Sequence, residues 1–86
     1  MPEISRFLGI VITMYFRDHS PPHFHARYGR EEAKFSIETL EVLKGELSRR
    51  VTSLIREWAN EHRSELMENW NAMLEEKPFT KIDPLL

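Results

Sequence analysis

His23-Phe24-His25-Ala26-Arg27-Tyr28-Gly29-Arg30-Glu31-Glu32-Ala33-Lys34-Phe35-Ser36-Ile37 reads as two strands joined by a Gly29-Arg30 turn. A two-residue loop with glycine first suits a type II′ turn, whose twist matches that of the strands it joins. Such a turn sets the register: Tyr28 opposite Glu31, Arg27 opposite Glu32, Ala26 opposite Ala33, His25 opposite Lys34 and Phe24 opposite Phe35. With side chains alternating at period two, Phe24, Ala26, Ala33, Phe35 and Ile37 then share one face, the expected core face. His23, His25, Arg27, Glu32, Lys34 and Ser36 share the other. A slip of one residue would mix the two sets, so the pattern and the turn support each other.

Working outward, residues 9–16 are rich in β-branched and aromatic side chains and read as the strand before this hairpin. Ile10, Ile12, Met14 and Phe16 alternate with Val11, Thr13 and Tyr15. After the hairpin, Val42 to Lys44 reads as a short strand ended by Gly45. Ser48 is the expected N-cap of a helix. From Arg49 to about Glu76, Val51, Leu54, Ile55, Trp58, Leu66, Trp70, Met73 and Leu74 recur at steps of three and four, with His62 on the same stripe. One continuous helix would run roughly 40 Å at 1.5 Å per residue. The polar stretch Asn60 to Ser64 is where it would divide in two, and Pro78 stops it. The tail, with apolar Phe79, Ile82, Leu85 and Leu86, is expected to dock. The fold class is therefore α+β: an antiparallel meander of three or four strands, packed on one face by a long C-terminal helix or helix pair. We expect one domain over residues 1–86, with a β half at about 1–47, a helical half at about 48–77 and a tail at 78–86.

Eighty-six residues hold one small core. Cysteine is absent, so no disulfide staples it and a cytoplasmic home is expected. The longest apolar run, around Leu8 to Ile12, is too short to cross a bilayer, and no basic n-region precedes an apolar segment at the N-terminus. The net charge of −2 argues against a strongly nucleic-acid-binding domain. The charge is uneven, however: residues 1–30 carry four arginines against two acids, while the remainder is acidic.

The densest chemistry precedes and enters the hairpin: Asp18-His19-Ser20-Pro21-Pro22-His23-Phe24-His25. Histidine titrates near neutrality and is the commonest metal ligand, and the proline pair stiffens the connection. Three uses are open. His23, His25, Arg27 and Lys34 form a face suited to an anion such as phosphate or carboxylate. With Ser36 added, the same residues are the candidates for metal-independent RNA cleavage by a histidine acid–base pair. His23 and His25, two apart on a strand, also present both rings on one face, where Asp18 or His19 would complete a metal site. Lys34 opposite His25, with Arg27 beside it, opposes a cation, so an anion is favoured over a metal and no cofactor is expected. The plain alternative is a rigid turn whose histidines hydrogen-bond carbonyls, with Asp18 in an Asx turn.

Trp58 and Trp70 read first as core or dimer contacts. The face bearing Glu57, Glu61, Glu65 and Glu68 reads as solvated. A helix overrunning a small sheet would leave apolar stripe uncovered, and Trp70, Met73, Leu74, Ile82 and Leu85 are the expected partner surface. The expected partner is a second copy or a small cognate protein encoded nearby. Nucleic acid ranks below these, and no membrane is expected.

The opening Met1-Pro2-Glu3-Ile4-Ser5-Arg6-Phe7, the block Asp18 to Ala26, Glu57-Trp58, Asn69-Trp70 and the tail Lys81-Ile82-Asp83-Pro84-Leu85 resemble the bacterial domain-of-unknown-function family 4160 over nearly the whole chain. The sequence departs where that family often has Gly near Leu40 and Pro near Ser48. The resemblance implies a small member of a toxin–antitoxin-like gene pair acting through protein contacts. It implies no established reaction.

Overall fold

A computed structural model describes residues 2–85; Met1, which opens the first family motif, and Leu86, of the expected apolar tail, lie outside the described residues. Five strands, β1 (Glu3–Phe7), β2 (Ile10–Thr13), β3 (His23–Tyr28), β4 (Glu31–Ser36) and β5 (Val42–Gly45), precede two helices, α1 (Arg49–Glu61) and α2 (Arg63–Leu74). The strands form one antiparallel sheet in the order β1-β2-β3-β4-β5, so the chain is α+β. The strand count is five where three or four were expected.

The β3–β4 hairpin has the predicted register at every pair from Phe24↔Phe35 to Tyr28↔Glu31. Gly29 has φ 63 while Arg30 stays out of the left-handed region, the pattern of a type II′ turn. Phe24 and Phe35 stack at 5.4 Å between ring centroids. Trp58 of α1 meets Phe24 at 6.0 Å and Phe7 at 5.3 Å. The core is completed by Ile4, Ile10, Ile12, Met14, Ile37, Ile55 and Leu66. Phe16, expected on the core face, is exposed because β2 ends at Thr13 and the chain turns away.

The missed strand is β1. Only Ile4 and Phe7 of its five residues are large and apolar, too little alternation to signal a strand, and the turn after it is disguised. Leu8 and Gly9 both have positive φ, 51° and 82°, as a type I′ hairpin requires, but leucine is not a residue that announces one. Leu40 likewise has φ 63, the backbone for which glycine is the ordinary choice, near where the family pattern often has it.

Ser48 caps α1, its Oγ accepting from the Val51 amide at 3.2 Å. The helical stretch divides at His62, inside the polar segment expected to break it. The tail docks: the Ile82 amide donates to the Ile4 carbonyl at 2.8 Å, Trp58 Nε1 donates to the Asp83 carbonyl at 2.8 Å, and the Asn69 side chain exchanges hydrogen bonds with the Thr80 backbone. Among the described residues, no helix is long and apolar enough to cross a membrane.

Candidate metal centre

Asp18 sits in the connection between β2 and β3. That connection is tied at its start by the Met14 amide on the Pro2 carbonyl and at Arg17 by its amide on the Met73 carbonyl of α2. Downstream, the Ser20–Pro21 peptide is cis and the Pro22 carbonyl accepts from the Ile37 amide. Asp18 is thereby carried over the start of β3, where His23 and His25 leave the same face of the strand. One ligand-type atom from each of Asp18, His23 and His25 lies within 4.8 Å of the others.

The hydrogen bonds around the rings decide what this cluster is. His23 Nδ1 lies 2.7 Å from the Pro21 carbonyl oxygen, which only accepts, so Nδ1 carries the proton. Nε2 lies 3.0 Å from Asp18 Oδ2: protonated, it donates to that oxygen; neutral, it turns a lone pair towards it, the arrangement that a cation between the two would complete. His25 repeats the pattern. Its Nδ1 is 3.4 Å from Glu32 Oε2 and its Nε2 is 3.6 Å from Asp18 Oδ2. That Nε2 is buried and has no hydrogen-bond partner. Both Nε2 atoms thus point at one carboxylate oxygen, with a carbonyl oxygen against the far nitrogen of His23 and a carboxylate near that of His25. The edges of a tetrahedral zinc site with bonds near 2.05 Å are about 3.4 Å, and the separations of 3.0 and 3.6 Å straddle that length.

The surroundings hold the rings in place. Trp70 of α2 lies 5.1 Å from the His23 ring and Tyr15 meets the His25 ring edge-on at 4.6 Å. Burial and the neighbouring His23 hold the His25 imidazole below its usual range, against the raising pull of Asp18 and Glu32. The neutral, ligating form is therefore favoured. Burial works to raise the Asp18 carboxyl, but the His19 amide and the two imidazoles beside it outweigh that and keep the group low. Asp18 remains an anion.

The candidates named from sequence separate here. His19 is exposed and joins the centre only through its backbone, its amide donating to Asp18 Oδ1 at 2.8 Å. The four-residue ligand set reduces to three. The anion between the two imidazoles is the chain's own Asp18 carboxylate, and Arg27 stands exposed outside the cluster. Two carboxylates, Asp18 Oδ2 at 3.6 Å and Glu32 Oε2 at 3.4 Å, stand against the His25 ring nitrogens and counter the opposition expected from Lys34 and Arg27. Ser36 is buried and its Oγ accepts from the Thr39 amide at 3.1 Å, a turn contact rather than part of a reactive face. Trp70, Met73 and Ile82 of the expected partner surface are buried in the chain's own core, Leu85 packs against it, and Leu74 alone of the five is exposed. The docked tail supplies that cover. Sequence reading missed Tyr15 and Glu32 at the centre. Glu32 was legible in principle, being diagonal to His25 across the predicted hairpin.

Comparison with curated proteins and with solved structures returns no match. The sequence model of a family described as "Domain of unknown function (DUF4160)" matches residues 9–71, a span that contains Asp18, His23, His25 and Glu32.

Proposed function

The chain belongs to this family, DUF4160, and we propose that it acts as a transition-metal-binding module holding one divalent ion on Asp18, His23 and His25. The observation that carries the reading is the convergence of both Nε2 atoms on Asp18 Oδ2, with a carbonyl oxygen and a carboxylate against the two Nδ1 atoms. With both rings neutral, a cation between the three atoms would relieve both Nε2–carboxylate contacts at once. The Glu32–His25 and Pro21–His23 contacts are the outer partners that orient imidazole ligands and fix their tautomers. Two nitrogens and one carboxylate favour zinc or a neighbouring first-row metal over magnesium or calcium. Three protein ligands leave a coordination position for water or for an oxygen of a bound ligand.

The test is calorimetric titration with zinc, repeated with cobalt, whose visible spectrum reports coordination geometry. One equivalent is expected to bind. At zinc a hundredfold above its Kd the fold should gain about 2.7 kcal/mol. Asp18→Asn and His25→Gln should abolish the gain, whereas His19→Gln should keep it. Absence of saturable uptake by the wild-type chain would defeat the proposal.

Two other roles have weaker support. Metal-free RNA cleavage needs a histidine that exchanges a proton with substrate, yet the His23 side chain is only 3 % exposed and His25 Nε2 is buried. Cleavage that persists in EDTA and is lost in His25→Ala would favour it. A toxin–antitoxin-like role through protein contacts rests on the family resemblance, since most of the surface expected to serve it is folded into the core.

A further inference from the structure

Reading the pairs across the sheet gives one lateral row: Thr13 of β2 beside His25 of β3, His25 beside Lys34 of β4, and Lys34 beside Lys44 of β5. Residues in register lie on the same face, so two lysines continue the row that begins at the metal centre. Adjacent strands are about 4.8 Å apart, which puts the Lys44 backbone roughly 10 Å from that of His25. We propose that Lys34 and Lys44 bind the phosphate of a small phosphate monoester in the cleft beside the Asp18–His23–His25 centre. The location of this site next to a metal rests on the reading above; its charge does not.

Three observations support it. First, like charges directly opposite on neighbouring strands repel, and among the described residues neither lysine has an ion-pair partner. A dianion between them would turn that repulsion into two attractions. Second, both lysines line one cleft of about 310 Å³ together with His25, Glu32, Ala33 and Gly45. Gly45 allows the pairing: a Cβ there would collide with the Glu32 carbonyl oxygen, so only glycine lets β5 come this close to β4. Third, the one acid in the cleft, Glu32, lies against His25 Nδ1, which leaves the ammonium groups as the charges available to an entering anion. A ligand phosphate there would lie beside the coordination position that the three protein ligands leave open. The volume is at the small end for ligand sites, and a chain of net charge −2 has no basic tract to follow a nucleic acid. A small monoester fits better than a polynucleotide.

The experiment titrates inorganic phosphate, ribose 5-phosphate and a short single-stranded RNA into wild-type chain, Lys34→Ala/Lys44→Ala and Lys34→Arg/Lys44→Arg, each with and without zinc. Circular dichroism checks that each variant is folded. We expect ribose 5-phosphate to bind zinc-loaded wild type. The alanine pair should weaken this at least tenfold and leave zinc affinity within about threefold, and the arginine pair should restore it. Equal phosphate affinity in wild type and the alanine pair, or no phosphate binding at all, overturns the inference while leaving the metal site standing. If zinc does not bind, the metal reading fails alone: phosphate binding by the metal-free chain that is lost in the alanine pair still upholds the lysine site. RNA binding tighter than ribose 5-phosphate overturns the assignment to a small ligand.

Discussion

Leu8, at φ 51 beside Gly9, is 61 % exposed. It has left-handed backbone strain and little burial to offset it. An L-residue in this conformation costs about 1–2 kcal/mol, and asparagine, which tolerates it, forms with Gly9 the favoured type I′ pair. Leu8→Asn should therefore stabilise the fold by roughly 0.5–1 kcal/mol, read as a higher urea midpoint at unchanged slope. A lower midpoint would mean that the Leu8 side chain contributes more to packing than its exposure suggests. The same scale separates the two sides of the hairpin. Phe35 is fully buried against Phe24, so Phe35→Ala should cost roughly 3–5 kcal/mol. Lys34, across from His25 on the open face, should cost well under about 1 kcal/mol when changed to alanine. Comparable losses in the two variants would contradict the register. The histidines themselves were legible as a cluster. Their tautomers were not, because these depend on a carbonyl two residues away and a carboxylate on another strand.

Among the elements, the β3–β4 hairpin was readable because one glycine, one loop length and one alternation pattern agreed. The β4–β5 pair is different. Its register shifts between Lys34 and Phe35, and its closeness depends on Gly45, at φ 86 with the β4 backbone where a Cβ would go. Gly45→Ala combines left-handed strain with a backbone clash and should cost roughly 2–4 kcal/mol. Zinc uptake, whose ligands lie on β3 and the preceding loop, should survive in whatever fraction remains folded, as native-state calorimetry would register. At the helix start, Ser48→Ala removes the acceptor for the Val51 amide and should cost about 1 kcal/mol. Ser48→Asp should retain most of that stability. If thermal melts of Ser48→Ala and wild type coincide, the cap is not contributing.

At the scale of the molecule, the helical stretch and the tail are coupled. A continuous helix of about 40 Å would project beyond a body whose longest extent is 33 Å. The break at His62 returns α2 over the core and brings Trp70 to His23. The tail then covers what α2 leaves. Ending the chain after Lys77 would remove buried Ile82 and leave Asn69 and the Trp58 indole without their partners on Thr80 and Asp83. The loss should be roughly 4 kcal/mol or more, against a total of about 5–15 for a domain. The truncated chain is expected to be largely unfolded at 37 °C by circular dichroism. A cooperative melt within a few degrees of wild type would show that the tail is dispensable.

Local chemistry made the α+β order, the hairpin register, the Ser48 cap, the helix break and the docking of the tail readable along the chain. Apart from the tail, whose apolar residues signalled docking but not its partners, each is set by residues within a few positions of one another, through alternation, turn geometry or side-chain capping. β1 escaped because its turn uses leucine where glycine or asparagine would have been diagnostic. The centre at Asp18, His23 and His25 was half legible: the ligand types and their spacing are local, but their number is not. Whether three residues or four converge, whether Lys34 or Glu32 governs the field at His25, and whether Trp70 faces a partner or His23 all depend on how the β2–β3 connection and α2 fold back on the sheet. Those are contacts between segments far apart in sequence, and only the packed chain brings them within a few ångströms.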